Sequence, residues 1–191
     1  MEIQHRSVKE LPWYPWPEDM VAAFPQEAVA RAEHIQLLLT DNDGVLTDNG
    51  VYYGEHGELM KRFSIRDGMG AARLRMYAGV DVGIITGERS SAVVERARKM
   101  EINELHLGIQ DKPLVVRQVA ERRGLSLEQI AYIGDDTNDV AVMKMVGLAA
   151  CPSDAMPFAR RAAHYVCEER GGQGAFRAFA ELLLYARTKD L

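Results

Sequence analysis

Short apolar runs alternate with amphipathic stretches from Ile35 onward. The runs 35–40, 80–85 and 129–134 (Ile-Gln-Leu-Leu-Leu-Thr, Val-Asp-Val-Gly-Ile-Ile and Gln-Ile-Ala-Tyr-Ile-Gly) are too short for helices and too continuously apolar for one-sided strands. They predict strands covered on both faces. Segments 147–150 and 164–167 are weaker candidates of the same kind. Between them, segments 70–78, 90–100, 112–123, 139–145 and 155–161 have helical character, and Ser126 to Gln129 forms a capping-box pattern. Strand and helix in alternation predict a parallel sheet with helices on both sides, a Rossmann-like three-layer α/β sandwich.

One segment breaks the alternation. Residues 50–63 carry two β-prone arms around Gly54-Glu-His-Gly57, which predicts a hairpin projecting just after the first strand. It is far too short for a large cap domain. The region 1–34 is different again. Leu11 to Pro17 holds both tryptophans and three of the seven prolines, so it is neither regular helix nor central strand. A helix over 18–34 would follow. This reads as an N-terminal arm packing its aromatics on the domain surface or on a neighbouring subunit, with a proline-rich ligand for another protein as the alternative. The remainder, 35–191, reads as one domain.

Composition narrows the classes. With 191 residues, 47% apolar and 27% charged, the chain has the size and make-up of one globular domain. A net charge of -5 argues against a nucleic-acid binder, though not against a small phosphorylated molecule held by a few local cations. No apolar stretch approaches a membrane span, and Met1 to Glu10 lacks an apolar signal core, so the expected compartment is the cytoplasm. Cys151 and Cys167 give neither a disulfide framework nor a metal-binding pair.

The chemistry gathers at the predicted strand ends, where open parallel sheets collect reactive groups. The first strand ends at Asp41-Asn-Asp43, the second at Thr86-Gly87-Glu88 and the third at Gly134-Asp135-Asp136-Thr-Asn-Asp139, while Lys112 opens the helix between the second and third. Carboxylates so crowded repel one another unless a hard cation neutralises them, and Mg²⁺ takes such oxygen ligands together with waters and phosphate oxygens. Asp41 can attack phosphorus, Asp43 can move the leaving-group proton, and Thr86 with Lys112 can hold the phosphoryl oxygens. Taken singly each motif is common, and Asp136 or Thr137 can serve as a plain helix cap. Their order along the chain is what points to a magnesium-dependent phosphatase.

The four motifs Asp-Asn-Asp-Gly-Val-Leu-Thr-Asp, Ile-Ile-Thr-Gly, the later lysine and Gly-Asp-Asp-Thr-Asn-Asp resemble those of the haloacid dehalogenase superfamily. Over about residues 37–187, including Phe63-Ser-Ile-Arg-Asp-Gly68 and Gly171-Gly-Gln-Gly174, the chain is most similar to small capless phosphatases of 2-keto-3-deoxy sugar acids. The resemblance implies Asp41 as nucleophile and metal ligand, Asp43 as acid/base and a ligand through its carbonyl, and Asp135 as third ligand, with Asp136 and Asp139 standing behind them. It also implies a homotetramer with the hairpins at its centre and neighbouring subunits closing each site. Enzymes of this family acting on 3-deoxy-octulosonate 8-phosphate usually carry arginine directly after Ile-Thr-Gly. Glu88 stands there instead, a pattern similar to phosphatases of 2-keto-3-deoxynononate 9-phosphate.

Glu88, Arg96 and Lys99 have spacings that suggest one helical face reading a hydroxylated acid sugar, or else a surface ion-pair ladder. Arg66, Asp67 and Gly68 follow the hairpin and are expected at the same rim, with Gly87. There Arg66 would fork onto a carboxylate or phosphate, unless it only pairs with Asp67 or braces the hairpin. The expected partner is thus a small sugar-acid phosphate of nine carbons, with the eight-carbon compound as the nearest rival. A non-catalytic tetramerisation module akin to those attached to sugar-acid cytidylyltransferases is the rival of another class. Phosphoryl transfer to a second sugar is disfavoured without a cap to exclude water.

Overall fold

The computed structural model describes Leu11 and residues 14–189; the expectations for Met1 to Glu10, and for Pro12 and Trp13, lie outside the described residues. Two short helices come first, α1 (Glu18–Ala22) and α2 (Gln26–Ala32). The single helix expected over 18–34 is interrupted because Pro25 has no N–H to give and drives Phe24 out of helical geometry. Trp16 stands edge-on to Tyr185 near the C-terminus, ring centroids 5.6 Å apart, and Phe24 packs on the same ring at 5.7 Å.

The strands and helices of the domain are β1 (Leu37–Thr40), β2 (Thr47–Gly54), β3 (Gly57–Phe63), α3 (Ile65–Arg73), β4 (Asp81–Ile85), α4 (Ser91–Lys99), β5 (Glu104–His106), α5 (Lys112–Arg123), β6 (Ile130–Ile133), α6 (Val140–Met143), β7 (Leu148–Cys151), α7 (Pro157–Ala162), β8 (Tyr165–Val166) and α8 (Ala175–Thr188). Six of the strands form an all-parallel sheet in the order β5-β4-β1-β6-β7-β8. The chain turns one way from β1 to β4 and the other way to β6, so the switch point lies at the end of β1. Ligands of open α/β sheets bind in the crevice there. Strands β2 and β3 form the separate antiparallel hairpin, closed by Glu55 and His56 between paired Gly54 and Gly57.

The apolar runs divide by alternation. Leu38 joins Ile84, Ala131 and Ile133 under α8, whereas Leu37 and Leu39 join Ile85, Ile130 and Tyr132 under α5 and α6. Two cores, one on each face, explain why β1 reads as a continuous hydrophobic run. The helix expected from Gly70 begins earlier, at Ile65, because Ser64 caps it: its hydroxyl oxygen accepts the Arg66 N–H at 3.2 Å. It runs on through a π-type turn over Leu74–Ala78. The edge strand β5 is an addition that three residues without an apolar run do not announce. The capping box at Ser126 is formed. Both cysteines are free and buried, and burial pushes the Cys151 thiol up to about 11. Among the described residues no helix is long and apolar enough to cross a membrane.

Candidate active site

Asp41 is the first residue past β1, held in line by its N–H donating to the Ile133 carbonyl at 2.9 Å. The chain then coils tightly: the N–H groups of Val45, Leu46 and Thr47 all converge on the Asn42 carbonyl. Gly44 permits this with φ +84°, and any Cβ there would run into the Asp135 carboxylate. The nucleophile loop and the Asp135 loop therefore touch. Thr86 follows β4 with its hydroxyl oxygen accepting the Glu88 N–H at 3.2 Å. These loops enclose an open cleft of about 230 Å³ lined by Asp41, Asp43, Asn49, Thr86, Gly87, Glu88 and the segment 135–138.

Lys112 lies buried behind Asp41 and is not among the residues lining this cleft. It is the first residue of α5, fixed by Asp111 capping the Leu114 N–H at 3.0 Å, and it is 1% exposed. Its ammonium lies 3.0 Å from Asp41 Oδ2 and 2.7 Å from Asp139 Oδ1. Burial alone would lower the Lys112 pKa, but the Asp41 and Asp139 carboxylates outweigh it and hold the group above its usual range. Asp139 is fully buried and its two oxygens accept four donors: Lys112 Nζ, the Tyr132 hydroxyl at 2.6 Å, and the N–H groups of Asp135 and Asp136 at 3.0 and 3.2 Å. It braces the loop and orients Lys112. Nothing in the apolar run around Tyr132 signals that its hydroxyl is part of this network.

Oxygens of Asp41, Asp135 and Asp139 lie within 4.8 Å of one another, close enough to hold one metal ion. With Asp139 taken up by four donors, Asp41 and Asp135 are the carboxylates with capacity to spare. Burial, then the neighbouring Asp139 charge, raises Asp41 to about 7, and burial followed by Asp41 raises Asp135 to about 8. Both groups bind protons more tightly folded than unfolded, so metal-free stability should fall as pH rises from the ordinary carboxylate range to about 8. A divalent cation relieves that repulsion. Thermal melts should therefore show a larger Mg²⁺-induced rise at about pH 8 than at about pH 5. An equal rise at both would contradict the charge-crowding argument.

The other expected residues are placed differently. Glu88 lines the cleft but precedes Ser90, the cap of α4, so it shares no helical face with Arg96 and Lys99. The helix starts too late for the spacing to act. Arg96 is committed within its own chain, donating to the Ser64 carbonyl at 2.5 Å and covering the Phe63 ring and Gly68; Lys99 is exposed. Asp67 points inward, where it accepts the Arg177 N–H at 3.0 Å and so caps α8, whose own cap residue Gly174 has no side chain. Burial raises it to about 6. Arg66 lines a separate cavity of about 820 Å³ with Trp16, Phe24, Arg73 and Arg177. Arg66, Asp67, Gly68, Arg96 and Lys99 thus do not line the Asp41 cleft of the same chain. Two further polar residues do act there. Asn49, at φ +65°, donates to Asp135 Oδ2 at 3.3 Å, and Lys61 from the hairpin grips Asp43.

A sheet with its acids at the switch point, a buried lysine behind them and, among the described residues, no cap domain defines a class. The model of the haloacid dehalogenase-like hydrolases matches residues 88–178. The chain is also 40% identical over 163 residues to 3-deoxy-D-manno-octulosonate 8-phosphate phosphatase from Yersinia pestis, covering 85% of this chain and 87% of that one. The crystal structure of the Yersinia pestis enzyme superposes with a TM-score of 0.82, covering 85% of this chain and 88% of that one. The corresponding Moraxella catarrhalis phosphatase, solved with magnesium, phosphate and a KDO molecule, is 31% identical with a TM-score of 0.83, covering 87% of this chain and 95% of that one. The chain belongs to the haloacid dehalogenase-like hydrolases. Within them it is a phosphatase.

Proposed function

We propose that the chain hydrolyses the phosphate ester of a 2-keto-3-deoxy sugar acid in two displacements at Asp41. The observation that carries this reading is Asp41 itself. It is a buried carboxylate at the centre of the sheet, with one oxygen accepting the Asn42 N–H at 2.7 Å and the other facing Lys112, beside an open cleft. In the first displacement an Asp41 oxygen bonds to phosphorus and the bond to the sugar oxygen breaks, its electron pair taking a proton from Asp43. In the second, a water gives its proton to Asp43 and attacks phosphorus, and the bond to Asp41 breaks. Thr86 and Lys112 hold the phosphoryl oxygens. Asp41, Asp135 and the Asp43 carbonyl would hold Mg²⁺, which neutralises charge on the phosphoryl group. Asp136 and Asp139 keep the Asp135 loop in place.

The substrate follows from the mouth of the cleft. Glu88 lines it, and an acid there repels a sugar carboxylate but accepts hydrogen bonds from a hydroxylated tail. That favours a nine-carbon acid such as 2-keto-3-deoxynononate 9-phosphate. The relatives' activity favours the second reading, 3-deoxy-D-manno-octulosonate 8-phosphate. Phosphate release from both, with and without Mg²⁺, separates them. Glu88→Arg should shift the kcat/KM ratio toward the eight-carbon ester by about tenfold or more. An unchanged ratio removes Glu88 as a determinant, and no release from any sugar phosphate would favour a non-catalytic module.

Assembly as a cytoplasmic homotetramer belongs to the same proposal. The hairpin exposes Tyr52, Tyr53, Leu59 and Met60, each more than half accessible, which is the apolar patch of an interface. Arg66 and Lys99, remote from the cleft of their own chain, would meet substrate from a neighbouring subunit. A monomeric mass by light scattering would remove this part of the reading.

A further inference from the structure

Lys61 lies on β3 between two residues that face solvent, yet its own side chain is 1% exposed. A buried ammonium is held only where carboxylates meet it. Its Nζ donates to both oxygens of Asp43 at 2.7 Å and lies 3.6 Å from Glu58 on the same strand. Glu58 in turn accepts the hydroxyl of Ser90. Ser90 caps α4 at the end of the loop that carries Thr86, Gly87 and Glu88. The hairpin therefore joins the two loops of the cleft through one chain of contacts, Ser90 to Glu58 to Lys61 to Asp43. Asn42 Nδ2 at 3.0 Å and the Thr47 hydroxyl at 3.3 Å hold Asp43 from the other side. Three side chains thus hold the Asp43 carboxylate, which also lines the cleft.

We propose that Lys61 is a positioning residue for Asp43, and that Glu58 couples it to the loop holding the phosphoryl group and the sugar. The inference rests on the acid/base role of Asp43 proposed above. Lys61 touches no substrate. It sets where the Asp43 oxygens stand when the sugar oxygen departs, and misplacing an acid by an ångström is enough to lose most of its effect. A lysine that merely filled the hairpin base would, when lost, slow every ester alike. A lysine that places the acid matters only where the leaving oxygen needs a proton. A sugar alkoxide does; p-nitrophenolate leaves without one.

The test compares kcat/KM, which covers the steps up to release of the alcohol, for a sugar-acid phosphate and for p-nitrophenyl phosphate at saturating Mg²⁺. Lys61→Met should lose about 10²-fold on the sugar ester and no more than about threefold on the nitrophenyl ester. Glu58→Gln, which keeps the shape and leaves Lys61 in place, should show the same split at about tenfold on the sugar ester. Asp43→Asn is the reference. If it shows the split while both hairpin variants lose equally on the two esters or lose nothing, Lys61 is structural and the inference is overturned. If Asp43→Asn itself shows no split, the acid/base role of Asp43 falls and this inference with it.

Discussion

Asp41→Asn is expected to leave a folded protein whose phosphate release is lower by about 10⁴-fold or more, the scale of removing a covalent nucleophile. Asparagine keeps the shape and can still accept the Asn42 N–H, but its amide has no oxygen able to form the phosphoryl bond at a useful rate. The substitution also removes one of three crowded carboxylates. Burial and Asp139 hold Asp41 at about 7, so the wild-type fold at pH 8 carries a charge it disfavours. The metal-free variant should consequently melt at or above the wild type at about pH 8. Substantial residual turnover would overturn the nucleophile assignment. A clear drop in melting temperature would overturn the account of the crowding.

Lys112→Met has the opposite signature. Methionine matches the stem but leaves Asp41 and Asp139 without the ammonium that lies 3.0 and 2.7 Å away. Breaking a buried pair from one side costs about 3–5 kcal/mol, because the partner charge stays buried and alone. For a chain of this size that corresponds to a melting temperature lower by roughly 6–20 °C. The loss should be largest near pH 8 and shrink toward pH 5, where Asp41 and Asp135 take up protons. Turnover should fall by about 10²–10³-fold even where the protein is folded, given the role proposed for Lys112 in holding the phosphoryl oxygens. A pH-independent change in melting would show that Lys112 does not offset these carboxylates. Thus Asp41 is held in place for chemistry at a cost to the fold, and Lys112 repays part of it.

The parallel sheet made much of the site legible. Asp41, Thr86 and Asp135 lie far apart in the chain, but each follows a buried apolar run, and such runs end on one rim. Lys112 was legible by its place at a helix start. Other residues were hidden for identifiable reasons. Lys61 sits in a Leu-Met-Lys-Arg-Phe pattern where Met60 is exposed and the lysine is buried, the reverse of what hydropathy predicts. Its partner Asp43 is a tertiary contact that local pattern does not encode. Tyr132 looks like core because it is core, and only its hydroxyl joins the Asp139 network. Glu88 shares no helical face with Arg96 and Lys99 because Ser90 caps α4 and leaves Glu88 outside the helix, although Glu88 does line the cleft. Asp67 was misplaced because a glycine cap on a distant helix gives no sign of borrowing a carboxylate from elsewhere.

The most direct measurement of the central claim is to trap the intermediate. The protein would be mixed with a sugar-acid phosphate and Mg²⁺, quenched within a turnover, reduced with borohydride and digested for mass spectrometry. An acyl-phosphate on Asp41 is reduced to homoserine, so the account predicts homoserine at position 41, dependent on both substrate and Mg²⁺. Turnover with position 41 unmodified, or with the modification on another carboxylate, would contradict it.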